Sequence, residues 1–254
     1  LSERNIRLHL SYDGTDFCGW QVQPAERTVQ GVVESCLKKI HKKSVGITGA
    51  GRTDSGVHAA GQVANFFTHI KSMSALQFIP ALNSLLPWDI RILDALEVSQ
   101  DFHSRFDAVK REYRYYIIPD QIPRPWEGRY AWALGYTPEL VVLERMASML
   151  PGTHDFAPFT LERERKKNTI RSIESAGFHF HRGRLEFRIR GKSFLWRMVR
   201  MLVGTMINFE KRGVSQDRFQ DILLGKTLPS AVLPNPVVPA PPNGLFLHGV
   251  TYNG

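Results

Sequence analysis

Between Ile6 and Val98 the spacing of apolar residues switches back and forth between the period of a strand and that of a helix. Ile6, Leu8, Leu10 and Tyr12 alternate with polar residues, the period-two mark of a half-buried strand, and Asp13-Gly14 then signals a turn. From Thr28 the pattern changes: Val29, Val32, Val33, Cys36, Leu37 and Ile40 fall on one face of a helix, with lysines gathered near its C-terminal end. A short segment, Val45 to Ala50, leads into a glycine-rich turn, and QVANFF follows as a strand. Helical spacing returns over Ala75 to Leu86, stopped by Pro87, and Ile90 to Val98 reads as a strand. The order is β-α-β-β-α-β, which predicts a ferredoxin-like lobe.

The second half repeats the alternation in outline. Strands are predicted at Glu112 to Ile118, Ile170 to Phe180, Leu185 to Arg190 and Leu245 to Tyr252. Helices are predicted at Pro138 to Leu150, at Ser193 to Phe209 and from Ser215 to near Gly225. The proline-rich stretch LPSAVLPNPVVPAPPNG precludes regular structure and reads as a rigid, extended segment on the surface. The fold class expected is α+β, with two ferredoxin-like (RRM-like) lobes, 1–107 and 108–254, whose antiparallel sheets meet at a central basic cleft.

Of the 254 residues, 43% are apolar and 22% charged, an ordinary globular composition that excludes a disordered chain. No stretch approaches the ~20 consecutive apolar residues of a membrane span. Cys18 and Cys36 are too few for a disulfide framework or a four-cysteine zinc site, so a soluble protein of a reducing, cytoplasmic compartment is expected. The charge is uneven. Lys and Arg outnumber Asp and Glu 33 to 24, and nearly all of the excess lies after residue 110. Residues 163–200 alone carry 12 basic side chains against Glu164, Glu174 and Glu186. Such a concentration suits a polyanion, because each phosphate neutralised releases condensed counterions. The basic residues alternate with apolar ones at strand spacing, which disfavours an amphipathic helix lying on a membrane.

The motif that carries chemistry is GAGRTDSGVHA, residues 49–59. A phosphate-binding loop is excluded, since no Lys-Ser/Thr follows the glycines and the next segment is a strand. A serine-hydrolase elbow is excluded too, because no G-x-S-x-G is present. What remains is a carboxylate, Asp54, on a tight loop, with Arg52 two positions before it.

GAGRTDSGVHA resembles the catalytic loop of the TruA family of tRNA pseudouridine synthases. YDGTDFCGWQVQP (12–24), DFHSRFDAVKREYRYYI (101–117) and KSFLWRMVRMLVGT (192–205) resemble three further motifs of that family, in the family's order. The resemblance extends from about Ile6 to the terminal GLFLHGVTY. It implies isomerisation of uridine to pseudouridine in tRNA, at positions 38, 39 and 40 of the anticodon stem-loop, with no redox cofactor, ATP or metal. It also implies a homodimer with each tRNA spanning both subunits.

Carried over residue by residue, the resemblance makes Asp54 the nucleophile, attacking either the sugar C1′ or the uracil C6. Arg200 is the family's partner for that carboxylate; a guanidinium beside it keeps it ionised and oriented. The predicted helix places apolar positions 194, 195, 198, 199, 202, 203 and 206 on one face, leaving Arg200 off the stripe and able to reach a cleft. Tyr113 matches the active-site tyrosine, stacking on a uracil flipped out of the RNA or assisting proton removal. Tyr113, Tyr115 and Ile117 share one strand face. Arg52 is expected to fill the space the flipped base leaves or to hold a neighbouring phosphate. His58 reads as fixing the loop; Gln21 and Gln23 are polar positions that could touch RNA.

The sequence departs from the family at Trp196 and Arg197, where many members have Tyr-His. Arg163 to Lys167 is expected to be a solvated loop reaching tRNA phosphates. Two rival readings remain: a non-catalytic RNA-binding or RNA-chaperone protein on the same fold, and a metal-dependent nuclease or phosphatase. The second lacks a clustered His/Asp metal motif.

Overall fold

The computed structural model describes residues 3–119, 122–166, 168–181, 183–226 and 236–253. In chain order its elements are β1 (Arg4–Tyr12), α1 (Val29–His41), β2 (Thr48–Gly49), β3 (His58–Thr68), α2 (Phe78–Asn83), β4 (Ile90–Val98), β5 (Ala108–Ile118), β6 (Trp132–Ala133), α3 (Leu140–Ala147), β7 (Gly152–Asp155), β8 (Ile170–His181), β9 (Arg184–Gly191), α4 (Met198–Lys211), α5 (Gln216–Leu223) and β10 (Leu245–Tyr252). The fold is mixed α+β with mostly antiparallel strand pairing. Two compact units form, one running to Val109 and including the chain from Phe246 onward, the other spanning Lys110–Leu245. The expected division placed residues 108–254 in one lobe; β10 instead groups with the first unit, where Phe246 and Leu247 pair in parallel with His58 and Ala59 of β3.

In the first unit β1 lies between β4 and β3, antiparallel to both, and β2 adds to β3 through Thr48↔Asn65 and Gly49↔Ala64. The period-two reading of β1 holds, with Ile6, Leu8 and Leu10 fully buried. Val29, Val33 and Leu37 of α1 and Phe78 and Leu82 of α2 are buried as well. The α1 start is set by Thr28, whose hydroxyl accepts from the Gly31 amide at 3.3 Å, and its end by Lys42 in the left-handed region at φ 57°.

Helix α2 is shorter than the spacing predicts. Pro80 has no N–H to give to the Leu76 carbonyl, so residues 74–79 make i→i−3 turns instead and Leu76 is left exposed.

In the second unit the strand order is β5-β9-β8-β7, with β6 joining β5 in parallel. Tyr115, Phe187 and Phe178 line up across β5, β9 and β8 and are all buried. Helices α3, α4 and α5 contribute Leu143, Met146, Leu202, Phe209 and Phe219 to this core. Strands β6 and β7 have no counterpart in the sequence reading.

Helix α4 begins at Met198, not Ser193. Arg197 sits at φ 61°, ψ 3°, a left-handed conformation in which a right-handed helix cannot continue toward its N-terminus. The proline-rich segment also differs from expectation where it is described. Ala240 is fully buried, and a Cβ on Gly204 of α4 would stand 2.1 Å from the Val238 carbonyl oxygen. This part therefore packs on α4 and does not merely lie on the surface; residues 228–235 of the segment lie outside the described residues.

Candidate active site

The loop bearing Asp54 is held by its backbone from two sides. From the first motif, Trp20 N–H donates to the Thr53 carbonyl at 3.1 Å, and the Phe17 carbonyl accepts from Gly56 N–H and from Ser55 Oγ, both at 3.2 Å. From β3, the Gln62 side-chain amide donates to the Gly51 carbonyl at 2.8 Å and accepts from the Gly51 amide at 3.3 Å. The Tyr12 and Thr53 hydroxyls share a buried hydrogen bond of 2.8 Å. Within the loop Val57 N–H closes a turn onto the Asp54 carbonyl at 3.1 Å, with Gly56 at φ 74°. Hydrogen bonds from both sides, one of them buried, favour this arrangement of the loop backbone.

Two glycines allow the approach. A Cβ on Gly19, at φ 86°, would come within 2.6 Å of the Thr53 carbonyl oxygen, and one on Gly14 within 1.9 Å of the Val57 carbonyl oxygen. Gly14 N–H donates to His58 Nδ1 at 3.0 Å, and the fully buried imidazole stacks on Phe246 with ring centroids 4.5 Å apart. Arg27 braces the same motif, its guanidinium 3.9 Å from the centre of the Phe17 ring and bonded to both Asp89 carboxylate oxygens at 2.8 and 3.1 Å. On this frame Asp54 is half-buried and Arg52 exposed.

The sequence places Tyr12 and Gln62 on strands and a turn at Asp13-Gly14, but does not show that these residues, with Phe17 and Gly19, hold the Asp54 loop. The signal available was the pair of glycines flanking Phe17. Gln21 is half-buried and Gln23 exposed, and both are engaged within the chain, their amides donating to Gln30 Oε1 and the Cys18 carbonyl, each at 2.9 Å.

Tyr113 and Arg200 lie in the second unit. Tyr113, Tyr115 and Ile117 are buried along one face of β5, as their alternation predicts. The Tyr113 ring meets Phe194 edge-on, centroids 5.0 Å apart. The Tyr115 hydroxyl donates to the Pro241 carbonyl at 2.7 Å. Burial pushes its phenol far above the usual range, and the Arg200 charge offsets this only in part. Arg200 is half-buried, and its Nε donates to the Ala240 carbonyl at 2.8 Å. The structure thus places Asp54 with Arg52 on one loop of the first unit, and Tyr113 and Arg200 on β5 and α4 of the second.

The basic stretch is partly neutralised where it stands. Glu112 bonds Arg114 at 2.8 Å and Arg190 at 2.5 Å, while Glu186 bonds Arg188 at 2.6 Å. Burial pushes the Glu112 carboxyl up, but the hydrogen bonds from Arg190 and Arg114 outweigh it and hold the group below the usual range. Arg163 is not a purely solvated residue: its guanidinium lies 3.6 Å from the centre of the Trp196 ring, a cation–π contact made by one of the two residues that depart from the family pattern. Lys167 and Arg182 lie outside the described residues. Among the described residues no group of three or more His, Cys, Asp or Glu is placed to hold a metal ion, and no helix is long and apolar enough to cross a membrane.

A family model described as tRNA pseudouridine synthase matches residues 10–107 and 146–253. The chain belongs to the tRNA pseudouridine synthase family. Asp54, Arg52 and Arg200 fall inside the matched segments and Tyr113 between them. The chain is 45% identical to tRNA pseudouridine synthase A of Treponema denticola, over 99% of this chain and 94% of that protein. It is 41% identical to the protein of that name from Chlorobium limicola, over 98% of this chain and all of that one. Its likeness to the Thermoanaerobacter sp. protein of that name is 36%, again over 98% and 100%.

Proposed function

We infer that this chain isomerises uridine to pseudouridine in tRNA, by a reaction that breaks the N1–C1′ bond, turns the uracil and closes a C5–C1′ bond. The C5 proton leaves and N1 gains one, so the net reaction is an isomerisation that needs no redox partner. The observation that carries the reading is the backbone fixation of Asp54 on a loop inside the family-matched segment, since a nucleophile must be held within a fraction of an ångström of its target to act as one.

In this reading Asp54 attacks C1′ or C6, and Arg200 orients its carboxylate. Tyr113 stacks on the flipped base and Arg52 takes the place that base leaves, or a neighbouring phosphate. The targets are uridines 38, 39 and 40 of the anticodon stem-loop, and the working form is a cytoplasmic homodimer. Two ferredoxin-like lobes dividing near residue 108, with a basic cleft for the tRNA, complete it. The strand order β4-β1-β3-β2, with α1 and α2 as crossovers, supports the ferredoxin-like assignment of the first lobe.

The test is tritium release from tRNA labelled at uridine C5, in EDTA, with the wild type beside Asp54→Ala. Release by the wild type, falling at least ~10³-fold in the variant, is expected. No release by the wild type, together with salt-dependent tRNA binding, would replace the enzyme by an RNA-binding protein on the same fold.

A further inference from the structure

Phe106 is 73% exposed, and it stands on a backbone that is tied down. Its neighbour Ser104 is fully buried. Ser104 N–H donates to Asn65 Oδ1 at 3.0 Å, its Oγ donates to the Thr48 carbonyl at 2.5 Å, and its carbonyl accepts from the Tyr252 hydroxyl at 2.6 Å. His103 completes the turn: its Nδ1 accepts from the amides of Arg105 and Phe106 at 3.2 and 3.3 Å, and its own amide donates to Asp107 at 2.8 Å. The His103 ring backs the Phe106 ring, centroids 4.2 Å apart and tilted by 33°. Beside it the Arg105 guanidinium lies 5.7 Å from the Phe106 ring centre.

We propose that Phe106, backed by His103, is a stacking platform for one unpaired nucleobase of the tRNA, with Arg105 serving the adjoining phosphate. The proposal rests on the synthase reading for the identity of the RNA. Three observations favour a base over an apolar protein partner. The exposed ring already has an aromatic neighbour, His103, 4.2 Å away between centroids, an array that a base can extend. A guanidinium stands beside it, the pairing that base and phosphate require. The turn is also tied to Thr48 in β2, the strand that leads directly into the Asp54 loop, so platform and candidate nucleophile belong to one rigid frame. Rigidity matters because a ring already held in place loses little entropy when a base stacks on it.

The experiment measures tRNA affinity and single-turnover tritium release for the wild type, Phe106→Ala, Phe106→Leu and Phe106→Trp, with mass in solution and melting temperature followed alongside. Affinity is expected to fall about 5- to 100-fold in the Ala and Leu variants and to stay within about 3-fold in the Trp variant, at unchanged melting temperature. Arg105→Ala should reduce the salt slope of binding by about one ion. Unchanged affinity in Phe106→Ala overturns the proposal. So does wild-type affinity in Phe106→Leu, which would mean apolar packing without stacking, or a change of mass that accounts for the loss, which would make the ring a contact between copies of the chain. If the wild type binds but releases no tritium, and Phe106→Ala still loses affinity, the platform stands and the synthase reading falls.

Discussion

Arg200 and Ala240 are joined twice, once by the Arg200 Nε donating to the Ala240 carbonyl at 2.8 Å and once by the Ala240 amide donating to the Arg200 carbonyl at 2.9 Å. The arginine on α4 is therefore aimed by the segment lying across it, and its direction depends on a donor that lysine does not possess.

Arg200→Lys is accordingly expected to keep the charge and lose the aim. Tritium release should fall by at least ~10-fold, with a stability loss of about 1–2 kcal/mol for the broken charge-assisted bond, read from urea unfolding. Gly204→Ala offers a comparison that leaves the charge alone, because its Cβ would stand 2.1 Å from the Val238 carbonyl and push the same segment away. Full activity in both variants would show that the clamp does not matter to the reaction.

Gly19→Ala should damage the Asp54 loop without touching any side chain in it. Positive φ and a Cβ within 2.6 Å of the Thr53 oxygen together cost about 1–3 kcal/mol, and turnover should fall while tRNA affinity stays near that of the wild type. Gly14→Ala, with its 1.9 Å approach to Val57, should be worse. At Gly128 nothing lies within 4 Å of a Cβ, so alanine there should be silent. Loss of affinity in step with turnover would count against a loop-positioning effect.

His41 links the stability of the first unit to pH. Its Nδ1 and Nε2 lie 2.9 Å from the Leu37 carbonyl and 2.8 Å from Thr68 Oγ1, and the Thr68 oxygen already accepts from the Ile70 amide. The neutral ring with its proton on Nδ1 satisfies every partner. Burial lowers the His41 pKa below the ordinary ~6.5. A folded pKa below the unfolded one gives stability that is complete above about 6.5 and is lost as the pH falls toward the folded value. Urea midpoints between pH 7.5 and 5 should therefore decline in the wild type and less steeply in His41→Phe. Parallel profiles would remove His41 as the cause.

The parts of the fold legible in the sequence are those whose signals are local. Helix α1 carried an apolar stripe running on from Thr28, and β1 a clean alternation. The start of α4 was hidden because Ser193–Arg197 continues the apolar spacing of the helix while Arg197, a non-glycine residue, adopts a left-handed backbone that leaves no mark in composition. The site divides in the same way. Asp54 and Arg52 stood out as a motif, whereas the grip of Tyr12, Phe17, Trp20 and Gln62 on their loop depends on contacts between strands and turns far apart in the chain. The apolar spacing leaves Arg200 off the stripe, but nothing short of the packed segment could reveal Ala240 as the acceptor for its Nε.

Strand β10 gives the first unit a late-arriving part. The Tyr252 hydroxyl reaches Ser104 across 148 positions of sequence, and Phe246 supplies the ring on which His58 stacks. On the ribosome, the residues around Asp54 emerge long before these partners do, and contacts so distant in sequence form slowly. A nascent chain paused before Phe246 therefore carries the Asp54 loop with its early partners in place but with His58 still lacking the ring it stacks on.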